Sequence, residues 1–250
     1  MPLGDSITAG YTDNPSWAVH PFEFGYRSEL NTLLTNAGYN FKFVGGSTEP
    51  WTGISGDPTR GGTYTPPLDL RAIGQDGHRG YGGQAAGFLY NNIVNWLSMD
   101  DPDIILLHIG TNSLDTRTLG NLINRIVTTK PDAQVIVAEI IPNFTYNQQI
   151  VNYNTYIRDT LVPQYQSQGK HVFHVDQYAN FLSAPNDLRS IMQSLFSNGI
   201  NHPSNPGYDR MAQTWFEEIR TIAPPVPEPS TTQILIPVVL LVASWSLNRR

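Results

Sequence analysis

The sequence predicts an α/β fold: a three-layer α/β/α sandwich around a five-stranded parallel sheet. Three observations predict it. Short apolar runs recur along the chain, their apolar residues are consecutive rather than alternating, and segments of helical periodicity separate them. A strand buried on both faces reads as a continuous apolar run. Strands separated by helices form parallel units with right-handed crossovers. In chain order, a first strand leads into Gly4-Asp5-Ser6. A helix follows near Tyr26 to Asn36, then a short strand, Phe41-Lys42-Phe43-Val44, ending at Gly45-Gly46. Residues 47–83 read as one long loop with nine glycines and Trp51. Loops of that length are usually functional or disordered. A helix near Ala85 to Leu97 precedes the apolar run from Asp103 to Ile109. The next helix, Leu119 to Thr129, carries Leu119, Leu122, Ile123 and Ile126 on one face. The run from Ala133 to Ile140 is the following strand. One long helix is predicted over Asn147 to Gln168, a strand over His171 to Val175 and a last helix over Pro206 to Ile222. Ligands of such sheets sit at the carboxyl ends of the strands. The loops there contain Gly4-Asp5-Ser6, Gly80-Tyr81-Gly82-Gly83, Gly110-Thr111-Asn112-Ser113 and Asn198-Gly199-Ile200-Asn201-His202.

Composition narrows the function classes. The 250 residues carry 15 Lys plus Arg against 21 Asp plus Glu, a formal charge of −6. That balance argues against a nucleic-acid binder acting through a basic face. A hydrophobic share of 40% with 11% aromatics supports a packed core and excludes a disordered chain. Cysteine is absent, which excludes disulfide scaffolds, thiolate nucleophiles and Cys-ligated zinc. No His/Asp/Glu spacing suggests a metal, and neither a P-loop nor a Gly-x-Gly-x-x-Gly between strand and helix is present. No cofactor is expected.

The chain divides into a domain over 1–222, a proline-rich linker over 223–233 and an apolar segment with a closing Arg pair over 234–250. That segment is short for a membrane span, which wants ~20 apolar residues. Val226-Pro227-Glu228-Pro229-Ser230, the apolar run and Arg249-Arg250 resemble the PEP-CTERM sorting signal of bacterial exported proteins. The resemblance implies export to the cell envelope or beyond, and processing by an exosortase-type enzyme. It also implies transient membrane association through residues 234–247. No basic and apolar leader precedes Gly4, so Met1 is expected to be an internal methionine, with a signal peptide and several strand residues upstream.

The chemistry to look for is acyl transfer. A serine hydrolase needs an exposed serine at a strand end, a histidine base, a group that orients the histidine, and donors around the developing oxyanion. Ser6 follows the first strand, although a serine after Gly-Asp is more often a helix cap. His202 precedes Pro203 in a loop before the last helix, whereas His108 and His174 lie in strands and read as core or sheet positions. Asn112 offers an uncharged amide after a strand, or is merely a turn residue.

Taken together, Gly4-Asp5-Ser6-Ile7-Thr8-Ala9-Gly10, Gly83, Gly110-Thr111-Asn112 and His202-Pro203 resemble the four blocks of the SGNH (GDSL-type) esterase family. Gly25-Tyr26-Arg27, Phe43-Val44-Gly45 and Trp96-Leu97 are most similar to the branch of the carbohydrate esterase family 3 acetylxylan esterases. The resemblance covers the chain from Met1 to about Ile222 and implies a flavodoxin-like sandwich. It implies Ser6 as nucleophile and His202 as general base and then acid. It implies the Ser6 N–H, the Gly83 N–H and the Asn112 amide as oxyanion donors, with Gly80 and Gly82 as competitors of Gly83.

Two positions depart from the family pattern. The family usually has Asp three residues before the histidine, where this chain has Gly199, with Asn198 one residue further back. The third triad member is then absent, replaced by Asn198, or supplied from elsewhere. A backbone carbonyl could take that part; Asp187 and Asp209 are near in sequence but wrongly spaced. Ser113 stands where Asp commonly follows Gly-Thr-Asn.

The expected function is an exported serine esterase that removes acetyl or other short acyl groups from an acylated carbohydrate or another small ester. One alternative is a lysophospholipase or thioesterase; another is a non-catalytic carbohydrate-binding envelope protein with a decayed site. Tyr11, Trp17, Trp51 and Tyr64 either form a sugar-stacking rim or pack the long loops.

Overall fold

The apolar runs at 104–108 and 134–138 become strands buried at all but their first residue. A computed structural model describes residues 1–11, 24–49, 69–142, 147–182 and 202–225. Strands β1 (Pro2–Gly4), β2 (Arg79–Gly80), β3 (Ile104–His108), β4 (Gln134–Ala138) and β5 (Val172–Val175) form one sheet in the order β2-β1-β3-β4-β5. All four ladders are parallel. Successive side chains enter opposite cores. Leu3, Ile105, Leu107, Val135 and Val137 enter one, while Leu106, Ile136 and Ala138 enter the other.

The helices complete two outer layers. They are α1 (Ser6–Ala9), α2 (Arg27–Asn36), α3 (Ala86–Asp100), α4 (Thr116–Thr129), α5 (Gln148–Tyr156), α6 (Val162–Ser167), α7 (Gln177–Phe181) and α8 (Asn205–Ile222). Helices α3 to α6 cover the first core, and α2, α7 and α8 cover the second. On α4 the predicted stripe is fully buried, and Asp115 caps the helix by accepting from the Arg117 and Thr118 N–H groups. Truncating one residue of that stripe, Leu122→Ala, would cost about 2–5 kcal/mol. Helix α3 ends where Asp101 turns left-handed, at φ 43°, and Pro102 cannot continue it. Helix α8 buries Tyr208, Met211, Ala212, Trp215, Phe216 and Ile219 along one side. No helix among the described residues is long and apolar enough to cross a membrane.

Two predicted elements differ. Residues 41–44 do not form a strand; only Gly46 bridges to His78. The Gln75 side chain stands in for a neighbouring strand there. Its oxygen accepts from the Phe43 N–H at 2.8 Å, and its amide donates to the Phe41 carbonyl at 2.9 Å. The edge strand is instead Arg79–Gly80, inside the segment expected to be loop, paired through Leu3 with Arg79 and Gly4 with Gly80. The long helix over 147–168 is interrupted by a π turn at Ile157–Leu161. Pro163 explains it: proline has no N–H to give the carbonyl four residues back, and a wider turn relieves the clash of its ring.

Candidate active site

Strand β1 lies between β2 and β3, so their three carboxyl ends open side by side. The chain turns from β1 directly into α1, and Gly4 makes that turn possible. A Cβ there would lie 2.1 Å from the His108 carbonyl oxygen and 2.4 Å from Thr8 Oγ1. The helix cap is Asp5 rather than Ser6. Asp5 is extended, and its Oδ1 accepts from the Ile7 N–H at 3.0 Å. Ser6 is thus the first helical residue, a position whose N–H has no acceptor within its helix. The far end of α1 is tied down by buried Arg27, whose Nη2 donates to the Ala9 carbonyl at 3.1 Å. Its Nη1 donates to the Asp76 carbonyl.

His202 meets the serine across 196 residues of sequence, with its Nε2 2.7 Å from Ser6 Oγ. It sits just before α8, whose start is shaped by Pro206. In the tautomer that serves catalysis, the Ser6 hydroxyl donates to Nε2. Asn198, Gly199 and Asp187 lie outside the described residues. Asp209 is on the exposed side of α8, where its charge helps raise the Glu29 carboxyl of α2.

The loop after β2 decides among its glycines. The Gly80 N–H donates to His78 Nδ1 at 3.0 Å, the Tyr81 N–H to the Gly4 carbonyl at 3.2 Å and the Gln84 N–H to the Tyr81 carbonyl at 3.3 Å. The Gly82 N–H donates to Glu49 Oε2 at 2.5 Å. Of residues 80–84, Gly83 alone has an N–H with no acceptor among the described residues. Gly83 holds φ at +71°, a conformation side chains rarely adopt, and nothing lies within 4 Å of a Cβ placed there. From β3, the Asn112 amide donates to the Gln84 carbonyl at 2.9 Å. That bond uses one of its two N–H groups and fixes the side chain against the Gly83 loop. The structure therefore brings Ser6, His202, Gly83 and Asn112 to the carboxyl ends of adjacent strands.

The electrostatics centre on a residue that the sequence reading passed over. Asp5 is fully buried beneath Ser6, and burial pushes its carboxyl up from 3.8 to about 6. The Ile7 N–H and the His202 side chain oppose that rise. Asp5 Oδ2 and Thr111 Oγ1 are buried without a partner at hydrogen-bonding geometry, although Thr111 is near enough to favour the charged carboxyl. His108, on β3 next to Gly4, is fully buried, and burial pulls it down to about 4. It serves as core, as its strand position predicted. Tyr11 is only 7% exposed, and its hydroxyl donates to Glu49 Oε2 at 3.1 Å. It packs the loops rather than offering a stacking face. Trp17, Trp51 and Tyr64 lie outside the described residues. No group of three or more metal-ligating side chains exists among the described residues.

Comparison with known proteins agrees with this fold. No family model matches the chain. A multidomain esterase of Ruminococcus flavefaciens is 28% identical over 93% of the chain. The chain spans 30% of that relative's length. The Clostridium thermocellum family 3 carbohydrate esterase structure superposes with a TM-score of 0.66 at 28% identity, covering 89% of this chain and 94% of that one. A family 3 carbohydrate esterase from Talaromyces cellulolyticus shares the fold, with a TM-score of 0.64 at 22% identity over 88% of this chain and 95% of its own. Over most of its length the chain is similar in fold to family 3 carbohydrate esterases, which supports the resemblance carried by its sequence motifs.

Proposed function

We propose that the protein is a serine esterase that hydrolyses short acyl esters, with acetyl groups on a polysaccharide as its substrate class. The observation that carries the proposal is the 2.7 Å contact between Ser6 Oγ and His202 Nε2 at the mouth of three strand ends that also present Gly83 and Asn112. In this reading Ser6 Oγ attacks the ester carbonyl carbon while His202 Nε2 takes its proton. The carbonyl oxygen becomes an oxyanion held by the Ser6 N–H, the Gly83 N–H and the Asn112 amide. Collapse expels the alcohol, which receives the proton from His202. Water then attacks the acyl-Ser6 carbonyl with His202 again as base, the bond to Ser6 Oγ breaks as His202 returns the proton to that oxygen, and the carboxylic acid leaves.

The carbohydrate assignment has two supports. One is the likeness to family 3 carbohydrate esterases. The other is an open groove of about 510 Å³ beside the Asn112 loop, lined by Ser113, Leu114, Asp115, Thr116, Gln149, Asn152 and Tyr153. Its mixture of polar side chains with apolar surface suits a sugar ring. We further propose that the domain works outside the cytoplasm, with its Pro-Glu-Pro tail removed by an exosortase-type enzyme. The C-terminal mass of the protein recovered from its producing cell tests that point.

Hydrolysis of p-nitrophenyl acetate against the octanoate ester tests the activity, with Ser6→Ala alongside. Acetate turnover that Ser6→Ala abolishes is the expected result. A folded protein without turnover, still inactive as Asn198→Asp, would sink the esterase reading in favour of a carbohydrate-binding one.

A further inference from the structure

We propose that Glu49 is a positioning residue that holds the oxyanion loop in its working conformation. Its catalytic consequence rests on the esterase reading; its geometry does not. One oxygen of Glu49, Oε2, accepts from both the Gly82 N–H and the Tyr11 hydroxyl. The backbone of Glu49 is itself anchored to β2. His78 Nδ1 accepts from the Gly80 N–H, so its Nε2 carries the proton and donates to the Glu49 carbonyl at 2.8 Å. Burial holds that imidazole neutral. The Glu49 N–H donates to Ser47 Oγ, which donates to the Gly80 carbonyl at 2.8 Å. Tyr11, the other partner, stands 6.0 Å from the His202 ring, centroid to centroid, and its carbonyl accepts from the Tyr208 hydroxyl of α8. One carboxylate thus joins the oxyanion loop, the segment after the nucleophile helix and, through Tyr11, the helix behind His202.

The loop needs such a tether. Three of its four residues, Gly80, Gly82 and Gly83, are glycines, whose backbones are permissive. The N–H groups of residues 80, 81 and 84 are held by their near neighbours, whereas that of Gly82 is held only by Glu49. Space is tight as well: a Cβ on Gly82 would lie 3.0 Å from the Tyr11 hydroxyl and 3.1 Å from Glu49 Oε2. Without Glu49, the peptides flanking Gly82 can rotate, and the Gly83 N–H leaves the oxyanion for part of the time.

Steady-state kinetics on p-nitrophenyl acetate, paired with amide hydrogen exchange of residues 80–84, test this. Losing a whole oxyanion donor costs about 10²–10³ in rate, so Glu49→Ala is expected to lower kcat by roughly 10- to 100-fold. KM should stay within about threefold, since ground-state binding is untouched. Exchange at Gly82 and Gly83 should rise by about tenfold or more as the loop opens. Glu49→Gln keeps an oxygen at the same reach and should recover most of kcat. Glu49→Asp keeps the charge but shortens the reach, and should behave like Glu49→Ala; it carries the test if the alanine variant fails to fold. Tyr11→Phe should add little on a Glu49→Ala background, because both act through one oxygen. Unchanged exchange at Gly82 and Gly83, a full-strength kcat in Glu49→Asp, or a glutamine variant as impaired as alanine would each overturn the proposal. An inactive wild-type chain would instead sink the esterase reading, and the exchange arm alone would then decide the role of Glu49.

Discussion

Replacing Asp5 by Asn should make the protein more stable and a poorer catalyst. The carboxyl of Asp5 is fully buried and lifted from 3.8 to about 6 by the loss of water around its charge. In that interval the folded protein holds more protons than the unfolded chain. Asp5 therefore stabilises the fold below about pH 4, and that contribution is lost as pH rises to about 6. The gap corresponds to about 3 kcal/mol of burial cost for the charge, as an order of magnitude. Asn keeps an oxygen that can cap the Ile7 N–H and carries no charge. Urea unfolding followed by circular dichroism from pH 3.5 to 7, on wild type and Asp5→Asn, isolates the effect because every other titrating group is shared. The two proteins should agree within about 1 kcal/mol at pH 3.5, and the variant should gain about 3 kcal/mol over wild type by pH 7. Its kcat should fall, because the buried carboxylate that caps the helix carrying Ser6 is gone. A stability difference that does not change with pH would refute the reasoning, as would an Asn variant less stable than wild type at pH 7.

Other substitutions probe the remaining parts. Asn112→Ala should lower kcat by about 10²–10³ with little change in thermal stability, since Asn112 is exposed and serves as a donor; stopped assays at saturating acetate ester would show it. Gly4→Ala should destabilise by about 3 kcal/mol or more in urea, because the new Cβ would meet a backbone carbonyl that cannot move without opening β1 from β3. Arg79→Ala should cost about 3–5 kcal/mol by thermal melting. It would strand Asp100, paired at 2.7 Å with both side chains at most 10% exposed, at the carboxyl end of α3.

The parts of the fold that were legible in sequence are those where burial acts on many residues at once. Residues 105–107 and 135–138 are buried on both faces, so each of those positions had to be apolar and the run stood out. Helix α4 was legible because its stripe repeats over more than two turns. Strand β2 was not, because two residues of ladder ending in a glycine leave no pattern. The apolar stretch beside it misled, since a glutamine side chain supplies the hydrogen bonds a strand would have supplied. The π turn was missed, although Pro163 was a local signal for a break in the helix.

The site divides along the same line. Ser6, Asn112 and His202 could be named because, ordinary one by one, they come as a set that resembles the blocks of one family. Their convergence could not be read from spacing; it follows from the sheet order, which sets β2, β1 and β3 side by side. Asp5 had a local signal, a carboxylate before a helix, that the serine beside it obscured. Glu49 had none, because its part depends on which N–H it meets. The same accounting separates Gly83 from its competitors. A fold satisfies the donors it can reach, and here β1, a histidine and a glutamate each take one N–H from the loop. The N–H that remains is free to meet a charge the protein itself does not contain, and an ester passing through its tetrahedral intermediate supplies one.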